Sequence, residues 1–138
     1  GLKRLGLSAR IRSVFEPEQS LPAAGQGALG IEVRADRADL IEALRPLAHQ
    51  ATWLRVAAER TVSRAMGGSC SMPLAAHADW LGERLRLRAA WGEPEGSAPL
   101  VRAESVVEVS DLAAAEALGA RVAAALREGG AHASAQEV

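Results

Sequence analysis

Residues 72 to 91 read Met-Pro-Leu-Ala-Ala-His-Ala-Asp-Trp-Leu-Gly-Glu-Arg-Leu-Arg-Leu-Arg-Ala-Ala-Trp, and this stretch decides the fold. From Arg84 onward, Leu85, Leu87, Ala89 and Trp91 fall on one side of an extended chain and Arg84, Arg86 and Arg88 on the other. A period of two is the signature of a strand with one buried and one wet face. Leu81-Gly82-Glu83 makes a tight hairpin back to a preceding strand over Met72 to Trp80. A third strand over Leu100 to Val109 follows a looser connection from Gly92 to Pro99. The expectation is a small three-stranded antiparallel meander.

Helical periodicity flanks this sheet. Leu54, Ala57, Ala58, Thr61, Val62, Ala65 and Met66 recur at steps of three and four, which predicts a helix from about Gln50 to Met66. Arg55, Glu59, Arg60 and Arg64 form its polar side, with Arg55 and Glu59 spaced for an i,i+4 ion pair. After the strands, Asp111 caps a helix running to about Glu128, with Ala115, Leu118, Val122, Ala125 and Leu126 facing inward and Gly129-Gly130 as its stop. Gly119 falls inside that pattern and weakens it by about 1 kcal/mol relative to Ala. The small, polar residues 131 to 138 are expected to be disordered. From about residue 48 the pattern is helix, three strands, helix: an α+β domain whose helices cover one face of the sheet.

Upstream the pattern is less complete. Leu2 to Leu7 reads as a last helical turn closed by Gly6, Ile11 to Phe15 as a strand stopped by Pro17, and Leu29 to Arg34 as a buried strand. Asp36 is the expected N-cap of a short helix, with Asp39 in a near capping box and Leu40, Ile41, Leu44 and Leu47 on its inner face up to Pro46. These first segments hold no complete supersecondary unit, and the chain opens at Gly1 without Met, so a piece of a larger protein is expected.

At 138 residues, 49% hydrophobic and 24% charged, the chain suits one ordinary globular domain. Aromatics are only 3%, so the core must be built from Leu, Val and Ala. The formal charge of −1 gives no general footprint for nucleic acid or an anionic membrane. No apolar run reaches the ~18 residues of a membrane span. One cysteine and three scattered histidines, His49, His77 and His132, make neither an internal disulfide nor a metal site by spacing. The cytoplasm is the default compartment.

The lone cysteine is the chief chemical candidate. Cys70 lies in Met66-Gly67-Gly68-Ser69-Cys70-Ser71-Met72-Pro73, where a helix gives way to a strand. Two glycines beside the sulfur let a large group approach the backbone. Such a thiol is either an attachment point or nucleophile, or else a small buried hydrophobe. The Arg84, Arg86, Arg88 stripe is an anion-binding surface or, more simply, the solvated face of a sheet. Gly25-Gln26-Gly27 precedes a strand instead of opening a helix, which makes it a poor phosphate loop and leaves a backbone site for another anion open. His77 reads as structural, and Trp53, Trp80 and Trp91 as packing residues.

Three blocks, Gly25-Gln26-Gly27-Ala28-Leu29-Gly30-Ile31-Glu32-Val33-Arg34, Leu54-Arg55-Val56-Ala57-Ala58-Glu59-Arg60 and Gly68-Ser69-Cys70-Ser71-Met72-Pro73-Leu74, closely resemble porphobilinogen deaminase, also called hydroxymethylbilane synthase. The resemblance implies a transferase of tetrapyrrole (porphyrin, heme) biosynthesis that joins four porphobilinogen molecules head to tail with loss of ammonia. The family works on a dipyrromethane primer held by a thioether, and the matching residue is Cys70. Deaminated porphobilinogen is an electrophilic azafulvene, to whose methylene carbon a soft sulfur nucleophile adds. Gln26, Gly27 and Ala28 then correspond to a turn lining the cleft for cofactor and substrate pyrroles, while Arg34 fits the block without an assigned partner. Gly67-Gly68-Ser69 replaces the common Glu-Gly-Gly, and Ser71-Met72 the common Gln-Val, which changes the hydrogen-bonding groups around the thiol.

The resemblance also implies an organisation. Residues 1–22 would end the second of three domains, 23–47 would return to complete the first, and 48–138 would form the C-terminal cofactor-attachment domain. The family's catalytic aspartate and the Arg/Lys cluster for acetate and propionate groups belong to the N-terminal domains, so no catalytic residue is expected in this chain. Alone it is expected to be inactive, without cofactor, and self-associating through the Leu29 to Val33 strand, whereas the full-length enzyme is expected to be a monomer. The rival reading is a free-standing binding or regulatory module with Cys70 as a redox-responsive thiol.

Overall fold

A computed structural model describes residues 1–93 and 95–132. Its elements are α1 (Ala38–Leu44), α2 (Gln50–Ala65), β1 (Leu74–Leu81), β2 (Arg84–Trp91), β3 (Val101–Glu108) and α3 (Leu112–Glu128), with short 3-10 turns at Ser8–Arg10 and Arg45–Leu47. The strands form one antiparallel sheet in the order β1-β2-β3. Leu81 pairs with Arg84, leaving Gly82 and Glu83 as a two-residue hairpin turn, and Arg84 pairs with Glu108 on the other side. Gly82 takes φ +64 while Glu83 keeps negative φ, the glycine-first pattern of a II′ turn, whose twist matches that of the strands it joins.

The alternation expected for β2 holds. Leu85, Leu87, Ala89 and Trp91 are buried, and Arg84, Arg86 and Arg88 face outward. Helices α2 and α3 pack on each other and cover this buried face, α2 over β1 and α3 over β2 and β3. Leu54, Val62, Leu85, Leu87, Leu118, Val122 and Leu126 form the centre of one core, so the α+β layering is as expected. In α3, Ala123 takes the buried place expected for Ala125, which is exposed. Asp111 caps α3 by accepting from the Ala114 N–H at 2.8 Å. The helix ends in a Schellman motif: the Gly130 N–H donates to Arg127 O and the Ala131 N–H to Leu126 O, burying Ala131. Residues 133–138, expected to be disordered, lie outside the described residues.

The N-terminal segments differ from the expectation. Ile11 to Phe15 and Leu29 to Arg34 form no strand, and Leu29 is fully exposed. Both runs are apolar enough for a strand, but neither pairs with the sheet, whose strands are β1, β2 and β3. Helix α1 begins at Ala38 behind Arg37, with no side-chain cap, because Asp36 and Asp39 are instead paired with Arg34 and Arg37. Its expected inner face is open to solvent at Leu40, Ile41 and Leu47. The closing turn at Gly6 is present: Gly6 takes φ +72, and the Gly6 and Leu7 N–H groups donate back to Lys3 O and Leu2 O.

Gly119 carries a packing constraint that helix propensity hides. A Cβ at this position would lie 2.5 Å from Thr61 Cβ and 2.6 Å from Ala58 O, so the glycine is what lets α3 cross α2 at this distance. Two effects oppose each other in Gly119→Ala: about 1 kcal/mol gained in propensity and about 1–3 kcal/mol lost to overpacking. Because both contacts belong to a buried helix pair, overpacking wins. Urea unfolding of the variant should show a lower midpoint with an unchanged slope; a higher midpoint would mean the helices separate freely.

Candidate functional site

The thiol sits at the tip of a loop whose shape is set by the end of α2. Gly67 takes φ +122, its N–H donates to Arg64 O at 3.1 Å, and the Gly68 N–H donates to Ser63 O at 2.8 Å. This Schellman closure needs a left-handed residue, which glycine supplies without strain. Beyond it the Ser71 N–H donates to Ser69 Oγ at 3.2 Å, and the two serine hydroxyls lie 2.7 Å apart. Cys70 sits between these serines and is an exposed free cysteine. The buried-filler reading therefore fails. Gly68, at φ +71, has no heavy atom within 4 Å of the place its Cβ would take, so the backbone two residues before the thiol is uncrowded.

The 23–28 turn is fixed by a residue that helix patterning had placed on the polar side of α2. Glu59 is 1% exposed. Its Oε2 accepts from the Gly25 N–H at 2.8 Å, and its Oε1 accepts from the Ala78 N–H at 2.9 Å and from Arg55 Nη1 at 3.1 Å. The expected Arg55 pair is real, but it neutralises a buried carboxylate. Glu59 also stands three residues before Val62 and seven before Met66, both buried, and this spacing was the available signal. Nearby, Pro22 O accepts from the Ala76 N–H at 3.1 Å. Gln26 and Gly27 are exposed and Ala28 half-buried. Among the described residues no hydrogen bond or ion pair joins this turn to the Cys70 loop.

The outward arginine stripe is largely self-satisfied. Arg86 forms a fork on Asp79 at 3.0 and 2.6 Å, and Arg88 pairs with Glu18 at 2.9 Å. Burial works against the Asp79 charge, but the bond from Arg86 and the nearby Arg86, Arg88 and His77 outweigh it and hold the carboxyl below its ordinary range. His49 caps α2 through Nδ1, and His77 Nδ1 lies 4.0 Å from Glu59 Oε1, a structural setting for each. Trp91 is buried, Trp80 anchors its indole N–H on Ala51 O, and Trp53 is exposed. Arg34 meets Asp36 on the surface. Among the described residues no group of three metal-ligating side chains exists, and no helix is long and apolar enough to cross a membrane.

The family model described as porphobilinogen deaminase, C-terminal domain, matches residues 53–128, the region that holds the sheet, α3 and Cys70. The chain belongs to the porphobilinogen deaminase family. A second family model, described as the porphobilinogen deaminase dipyrromethane cofactor binding domain, matches residues 1–42. Proteins named porphobilinogen deaminase from Albidiferax ferrireducens, Ralstonia nicotianae and Paraburkholderia phytofirmans are 67%, 59% and 55% identical over 92%, 96% and 95% of this chain. The chain spans 40%, 40% and 38% of their respective lengths.

Two outcomes follow from this geometry. Glu59→Ala strands the Gly25 and Ala78 N–H groups and the guanidinium of a mostly covered Arg55, which should cost about 3 kcal/mol or more in a denaturant titration. A loss below about 1 kcal/mol would show that water replaces the carboxylate. For Asp79 the folded pKa lies below the ordinary value of 3.8. Its stabilisation is therefore complete above that value and is lost as pH falls through the depressed folded pKa. Asp79→Asn should flatten the pH dependence of stability below about pH 4; an unchanged acid limb would contradict the pairing.

Proposed function

We propose that this chain is the C-terminal portion of a hydroxymethylbilane synthase and that Cys70 is its covalent anchor for a dipyrromethane primer. The single observation carrying this reading is an exposed thiol, held at a loop tip beside an open glycine, in the region matched by the deaminase C-terminal family model. The full-length protein would be a transferase of porphyrin biosynthesis, polymerising four porphobilinogen molecules with release of ammonia. When bound, the primer supplies the nucleophilic pyrrole to which new units are added.

The chain's own residues have separable tasks in this scheme. Cys70 Sγ holds the primer through one C–S bond. The paired Ser69 and Ser71 hydroxyls fix the loop so that the sulfur faces outward, and Gly67 and Gly68 keep bulk away from attached rings. Gln26 and Gly27 offer an exposed amide and backbone toward the cleft. The proposed organisation is 1–22 ending the second domain, 23–47 completing the first, and 48–138 forming the attachment domain. Catalytic carboxylate and carboxylate-binding cations would come from N-terminal domains, so the isolated segment would be inactive. The unpaired 29–33 run, with Leu29 fully exposed, supports this division and a tendency to self-associate when the partner domains are missing. It speaks against a free-standing redox module, which would pair that run internally. A cytoplasmic location is part of the same proposal.

Intact mass measurement of the full-length protein carrying this segment should show one added dipyrromethane, absent after Cys70→Ser. Retention of the added mass in Cys70→Ser would overturn the assignment.

A further inference from the structure

The outer face of the sheet carries a second feature that the Cys70 loop leaves unused. Residues 19–21 run along this face beside the starts of β1 and β3, enclosing an open cleft of about 390 Å³. That volume lies within the range of small-molecule sites. The floor and walls are apolar, from Met72, Leu74, Ala75, Ala90 and Leu100. Packing keeps the cleft's end narrow: a Cβ at Gly92 would lie 3.3 Å from Leu100 Cδ2, and the Gly92 N–H is tied to Pro73 O at 2.8 Å.

The polar side chains around the cleft can all donate. Arg102 lines it and, unlike Arg86 and Arg88, makes no ion pair among the described residues. Gln19 Oε1 already accepts from the Glu16 N–H at 3.0 Å, which leaves its NH₂ group to donate. Ser20 adds a hydroxyl. Among the described residues, no acidic side chain lines the cleft. An apolar floor beneath a free guanidinium, an amide NH₂ and a hydroxyl suits a flat ring that carries a carboxylate.

We propose that this cleft binds a carboxylate-bearing pyrrole, with the carboxylate on Arg102 and the ring over Ala75 and Ala90. This inference rests on the pyrrole chemistry of the proposed function. It adds which pyrrole is taken: with no acid to receive an ammonium, the cleft accepts a ring of the linear chain, whose aminomethyl nitrogen has been lost, in preference to free porphobilinogen. Its wall starts at Met72, the second residue after the proposed anchor.

The test uses this chain with ¹⁵N labelling and three probes: pyrrole-2-carboxylate, the neutral pyrrole-2-carboxamide, and porphobilinogen. The carboxylate should produce saturable amide shifts at Ala75, Ala90 and Arg102, with affinity at least about tenfold above the carboxamide and above porphobilinogen. Arg102→Gln, an exposed-site change, should abolish the carboxylate preference while leaving the amide spectrum elsewhere intact. Equal affinity for carboxylate and carboxamide, an unchanged preference in Arg102→Gln, tighter porphobilinogen binding, or no shifts at these amides would each overturn the proposal. Cys70→Ser should bind the carboxylate as the parent does. The outcome is thus independent of whether Cys70 carries the primer.

Discussion

A carboxylate with almost no contact with water holds this molecule's parts in register. Burying a charge is costly unless it is paired and fully hydrogen-bonded, and Glu59 meets that condition with two backbone N–H groups and the Arg55 guanidinium. Those donors come from three places in the chain: the 23–28 turn, strand β1 and helix α2. β1 is an edge strand, and its outer N–H groups at Ala76 and Ala78 are taken by Pro22 O and Glu59 instead of another strand. An edge closed in this way does not serve as a template for a further strand. The same bonds help dock a segment that is also held by Ala24 on the core and by the Glu18–Arg88 pair.

Helix α2 links this clasp to the thiol. The element that presents Glu59 toward β1 ends in the Gly67-Gly68 closure that lifts Cys70 into solvent. Gly119 lets α3 approach α2 closely, and this pair covers one face of the sheet. The opposite face is a polar lattice of Asp79, Arg86, Arg88 and Glu18, which holds residue 18 and the following strap against the sheet. The thiol loop is thus an exposed tip on a helix end that is packed on its other side.

What the sequence made legible was what depends on periodicity and local chemistry. The β2 alternation, the Gly82 hairpin, the Asp111 cap and the apolar face of α2 follow from residues within a few positions of one another, and each is present in the fold. The Cys70 loop stands out in the sequence because a single sulfur follows two glycines. The misses at Leu29, Glu59 and Gly119 share one cause: long-range partners are invisible to local patterns. Leu29 to Arg34 has a strand's composition but no neighbour, Glu59 has a surface residue's composition but meets Gly25 and Ala78, and Gly119 resembles a helix defect until Thr61 is placed against it. Arg102 is silent in the sequence for the same reason, since its cleft is made by a strap more than eighty residues away.

Native-state hydrogen exchange at the Gly25 and Ala78 amides tests the clasp most directly, because both donate to one carboxylate from distant parts of the chain. The account predicts protection at both sites in the unsubstituted chain, and in Glu59→Gln its loss at Gly25, whose acceptor oxygen becomes an amide donor or is turned away. In the unsubstituted chain, Gly25 exchanging at the rate of an unstructured peptide while Ala78 stays protected would contradict it: the turn would then be loose, and the thiol-bearing unit would stand alone.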